Sequence, residues 1–69
     1  MDIRAYHTPT KQWRFAVAAD NNTAVRLDPH AGETLDEFDV YEVTITVKVG
    51  RTESFIVGRR LNHLPRRLS

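Results

Sequence analysis

The 69-residue sequence contains no cysteine, so disulfide scaffolds, thiolate zinc sites and cysteine nucleophiles are excluded together. Glycine and proline number three each, and neither a Gly-rich phosphate loop nor a low-complexity linker is present. No apolar run approaches the roughly 18 residues of a membrane-spanning helix, and Met1-Asp2-Ile3-Arg4 lacks an apolar signal core. The expectation is one cytoplasmic domain with no membrane contact. Aromatic material is also scarce, at one Trp, two Tyr and three Phe. Ordering a chain of this length costs on the order of 100 kcal/mol, which so small a core barely offsets. A partner or a second copy is therefore an expected source of further buried area.

Catalytic material is equally thin. His7, His30 and His63 lie in three unrelated segments, and none has the spacing of a metal or triad motif. Asp28, His30 and Glu33 share one loop, where two carboxylates and an imidazole are expected to be solvated rather than metal-bound. The chain is too short to enclose a pocket of about 300 Å³ and also build a core. We expect no enzyme, no metal and no cofactor.

What is present is segregated charge. The overall balance is +1, yet residues 27–47 hold Asp28, Glu33, Asp36, Glu37, Asp39 and Glu42 with no Lys or Arg. Residues 48–69 carry Lys48, Arg51, Arg59, Arg60, Arg66 and Arg67 against Glu53 alone. Such local fields attract or repel partners more than the total does. Arginine outnumbers lysine, which suits bidentate contacts to carboxylate or phosphate.

The hydrophobic pattern is that of strands. Ile3 and Ala5 form a short β segment ending before His7-Thr8-Pro9-Thr10. From Lys11 to Ala19, Trp13, Phe15, Val17 and Ala19 share one parity and are expected to face inward, with Trp13 and Phe15 the main core contribution. Asp20-Asn21-Asn22-Thr23 tolerates left-handed backbone and returns the chain into Ala24–Leu27, with Val25 and Leu27 inward. Thr34 and Glu37 have capping-box spacing for one or two helical turns. Tyr41, Val43, Ile45, Val47 and Val49 then alternate with polar residues in the strongest strand signal, with Ile45 and Val47 assigned to holding the fold. At roughly 36 Å this strand must bend or twist in so small a domain. A two-residue turn at Gly50-Arg51 sets Lys48 opposite Glu53, whereas a three-residue turn gathers the apolar groups on one face; both registers are open.

The predicted architecture is mainly β, a small barrel or strongly twisted antiparallel sheet of about five strands with at most one short helix, and α+β as second choice. Residues 1–58 form the domain and 59–69 an arginine- and leucine-rich tail, in which Pro65 breaks the helical spacing of Leu61, Leu64 and Leu68. The expected function is non-enzymatic docking on a protein surface, as inhibitor or adaptor, through the acidic run Asp36, Glu37, Asp39 and Glu42, or on an acidic partner through the arm Arg59, Arg60, Arg66 and Arg67 with Arg51 at the adjacent turn. Small size and absence of catalytic residues are shared with accessory proteins of phages and mobile elements. A homodimer fits the marginal core. The alternative is a nucleic-acid module using Arg51, Arg59, Arg60, Arg66 and Arg67, since the order of elements resembles that of small OB-type barrels.

Overall fold

The computed structural model describes residues 1–68; Ser69, the last residue of the expected tail, lies outside the described residues. Strands β1 (Ile3–His7), β2 (Gln12–Phe15), β3 (Val17–Ala19), β4 (Ala24–Leu27), β5 (Phe38–Val49), β6 (Thr52–Leu61) and β7 (Leu64–Arg67) follow one another, with one 3-10 turn at Leu35–Glu37 before β5. The fold is mainly β, as the alternation predicts. A four-stranded sheet has the order β2-β1-β5-β6, and a three-stranded sheet the order β3-β4-β7. The two do not close into a barrel, and among the described residues the strands number seven rather than about five.

Two differences from expectation set this count. The run Lys11–Ala19 is not one strand: it leaves the first sheet after Phe15 and enters the second at Val17, with Ala16 buried at the crossing. Nor does the chain become a tail at Gly58. β6 continues to Leu61, and β7 then pairs in parallel with β4, placing Pro65 beside Val25 and Arg67 beside Leu27. Pro65 is tolerated because β7 is an edge strand, where a missing N–H need not interrupt a ladder.

The core lies between the sheets. Cross-strand partners share a face, so Ala5 with Val40, His7 with Phe38, and Val40 with Leu61 define the covered face of the first sheet. Val25 and Leu27 from β4 meet it, both essentially fully buried, as their parity predicts. The other face of β1 carries Arg4 and Tyr6, which stand opposite Phe15 and Trp13. Trp13 and Phe15 therefore face away from the core, at 37% and 66% exposure, the reverse of the sequence expectation. Val17 is likewise 41% exposed, because Ala18, not Val17, faces Val25 across the β3–β4 pair. Asp20, Asn21 and Asn22 adopt the left-handed backbone expected of that turn.

The β5–β6 hairpin resolves both open registers. Its turn has two residues, with Gly50 at φ +59°, so that Lys48 stands opposite Glu53 and Val49 opposite Thr52. A bulge between Ile45 and Val47 then resets the pairing, and Ile45 meets Phe55 while Val43 meets Val57. Val47 is turned to the other side and is 55% exposed, so it does not hold the fold, whereas Ile45 is half-buried. A second bulge between Tyr41 and Val43 passes through Gly58, where an added Cβ would lie 3.0 Å from the Glu42 carbonyl oxygen. A side chain there would crowd that carbonyl, so glycine suits this close approach of two backbones. The expected bend of a strand this long thus occurs at two bulges.

Candidate functional site

Four strands place aromatic groups on the uncovered face of the first sheet: Tyr6 from β1, Trp13 from β2, Tyr41 from β5 and Phe55 from β6. Trp13 is the centre, with ring centroids 4.8 Å from Tyr6, 5.4 Å from Tyr41 and 5.3 Å from Phe55. The last two contacts are edge-to-face, a geometry favoured by the ring quadrupoles. Phe15 extends the face, and the Arg4 guanidinium lies 5.4 Å from its ring centroid. Beside this cluster is an open cleft of about 380 Å³ bounded by Arg4, Arg14, Arg51, Glu53, Trp13, Phe15 and Phe55.

Two of the three cleft arginines are already paired. Arg4 donates from Nε to Glu53 Oε1 at 2.6 Å and from Nη1 to the Ile3 carbonyl at 2.6 Å. The register expectation of a Lys48–Glu53 pair is thus met in backbone position, but the carboxylate is bound by Arg4. Arg14 donates to both oxygens of Glu33, at 2.7 and 2.8 Å. Arg51 remains at the hairpin turn, exposed and with no ion-pair partner among the described residues.

The expected acidic site is divided. Glu37 is half-buried and accepts from His7 Nε2 at 3.0 Å and from the Thr34 backbone N–H at 3.0 Å, the latter being half of the capping box expected from spacing. Asp36 is exposed and accepts the Thr34 hydroxyl. Asp39 stands opposite Tyr6 at the rim of the aromatic face, where it pairs with Arg60 at 2.8 Å. Glu42, opposite Ile3, is on the other face. The arginines are divided too. Arg59 and Arg60 lie in β6, at one edge of the first sheet, whereas Arg66 and Arg67 lie in β7, at an edge of the second. Arg66 is paired with Asp20 at 2.6 Å.

Beneath the loops His7 is buried, with Nδ1 2.6 Å from the Thr10 hydroxyl and Nε2 on Glu37. Glu33 lies on its other side, 3.5 Å from Nδ1. Glu33 is therefore not a loop ligand alongside Asp28 and His30; it is taken by Arg14 and by the His30 backbone N–H at 2.7 Å. Among the described residues no three His, Asp or Glu side chains are grouped to hold a metal.

These contacts predict acid sensitivity. The Arg14 hydrogen bond, aided by the His30 N–H, holds the Glu33 carboxyl down to about 2 from an ordinary 4.5. His7, and then the Thr34 N–H, lower Glu37. A carboxylate with a depressed folded-state pKa stabilises the fold above its unfolded value and loses that contribution as pH falls toward the folded one. The urea midpoint should be level from pH 7 to about 5 and fall between about 4.5 and 2. Glu33→Gln should lower the neutral-pH midpoint and flatten the acid slope; an unaltered slope would contradict the assignment.

The exposed aromatic pair Trp13 and Phe15 was missed by sequence reasoning. The available signal was the alternation of Ile3 and Ala5 with Arg4 and Tyr6, which points the Arg4 side away from a core; assigning Trp13 and Phe15 to it requires the β1–β2 register. Comparison of the chain with family models, curated proteins and solved structures found no match.

Proposed function

We propose that this is a non-enzymatic docking protein, an inhibitor or adaptor that binds a protein partner through the aromatic face centred on Trp13. The observation that carries this reading is the placement of the scarce aromatic groups. Trp13 and Phe15 stand on the solvent side while alanine, valine, leucine and isoleucine fill most of the core. Trp, Tyr and Arg are the residues most often found to dominate binding energy at protein interfaces. Here they are pre-ordered by mutual ring contacts, which lowers the entropy lost on docking. The Asp39–Arg60 pair at the rim supplies charge for orientation rather than affinity.

The test uses the partner captured from a host extract and then purified. Trp13→Ala should weaken its binding at least thirtyfold, corresponding to about 2 kcal/mol, with the circular-dichroism spectrum unchanged. Equal affinity of the variant would remove the aromatic face from the account.

A nucleic-acid reading draws on one observation, the position of Arg51 beside Trp13, Phe15 and Phe55. It is weaker because Arg4 and Arg14 in the same cleft are neutralised by Glu53 and Glu33. Binding of single-stranded oligonucleotides that falls steeply with salt and is lost in Arg51→Ala would favour it.

A further inference from the structure

We propose that the free edge of β6 pairs with the same edge of a second copy, in antiparallel orientation, to form a two-fold dimer with one continuous eight-stranded sheet. β6 is an edge strand of the first sheet, and among the described residues the only strand it pairs with is β5. Its middle, Phe55-Ile56-Val57, lacks the lysine or proline that commonly guards an edge. It also leaves apolar surface on both faces: Ile56 is 64% exposed on one and Val57 44% on the other.

The strand is complementary to itself about Ile56. With Ile56 on the two-fold axis, Phe55 lies opposite the partner's Val57, an aromatic against a β-branched residue. Ser54 lies opposite the partner's Gly58, and Glu53, whose carboxylate is held by Arg4 of its own chain, stands at the bulged corner opposite the partner's Arg59 with no like-charge clash. Moving the centre to Phe55 instead sets Arg59 opposite the partner's Arg51, a like-charge pair that disfavours that register. Ile56 shares its face with Val47, since each pairs across the hairpin with Thr44 and Ser54 respectively on alternate positions of that side. Two copies therefore bring a pair of isoleucines together between two exposed valines. The symmetry is isologous and closes at two copies. Phe55 and Val57 also border the aromatic face, so the dimer would continue that face across the two-fold axis; the inference rests on the free backbone edge and not on the docking proposal.

The absence of native cysteine gives a clean test. Directly opposed residues of an antiparallel pair have Cα atoms about 4.5–5.5 Å apart, within disulfide range. Ile56→Cys should form a covalent dimer under mild oxidation at least tenfold faster than Val49→Cys, an exposed position on β5. Sedimentation of the unmodified chain should give twice the monomer mass, and Ile56→Lys should weaken self-association at least tenfold with its β spectrum retained. Leu64→Ala, at an exposed position of β7 in the other sheet, should leave self-association unchanged. A monomeric unmodified chain, equal cross-linking of the two cysteine variants, or a dimer undisturbed by Ile56→Lys would each overturn the proposal.

Discussion

Leu27→Ala should destabilise the protein by about 2–5 kcal/mol, the range for emptying a buried leucine site. Leu27 is 1% exposed and among the largest fully buried side chains, at the meeting of the two sheets. A chain of this size has a total stability of roughly 3–10 kcal/mol, so the loss is a large fraction of it. Small residues such as Ala5 and Ala16 share its cluster and have no side-chain length with which to refill the space. Phe15→Ser removes a larger side chain yet should cost no more than about 1 kcal/mol, because Phe15 is 66% exposed. Chemical denaturation of the two variants checks this directly. A greater loss from Phe15→Ser would mean that the face assigned to solvent is in fact covered.

Glu53→Ala should cost about 3 kcal/mol. The Arg4 guanidinium it binds belongs to a residue only 8% exposed, and loss of the carboxylate leaves that charge with the Ile3 carbonyl as its remaining protein acceptor. Stranding a buried charge costs more than the pair itself contributes, because the desolvation penalty is then uncompensated. The same contact fastens the end of the β5–β6 hairpin to β1, so its loss should also raise amide exchange in Thr52–Phe55. Arg4→Met combined with Glu53→Met should recover most of the lost stability, since both charges are then gone. A double-mutant cycle separates these terms. Single variants within about 0.5 kcal/mol of the parent would show that the pair is solvated and carries no structural role.

Local chemistry made much of the fold legible. The alternation from Tyr41 to Val49, the Asp20–Thr23 turn, Gly50 at the hairpin and the Thr34–Glu37 spacing each correspond to an element found in place. These depend on neighbouring residues, where β-branching, left-handed backbone and capping act directly. The candidate site was less legible. Asp39 and Arg60 were both singled out for charge, but their pairing across the β5–β6 hairpin divides the acidic run from a role as one patch. Arg59 and Arg66 were grouped as one arm, yet β7 docks parallel to β4 and puts them on different sheets.

The sequence by itself therefore determined most of the strand segments and turns, together with the two-face alternation within them, but neither the break of Lys11–Ala19 at Ala16 nor the strand β7 within the expected tail. Only the tertiary structure decided which face is covered. A period of two is unchanged when inside and outside are exchanged, so Trp13 and Phe15 are as compatible with the core as with solvent until β1 fixes their register. That choice is made by residues distant in the chain, as Val25 and Leu27 pack onto the Ala5 and Val40 side. The chain with few aromatic groups left most of them outside, and the small apolar residues on the opposite parity closed the core.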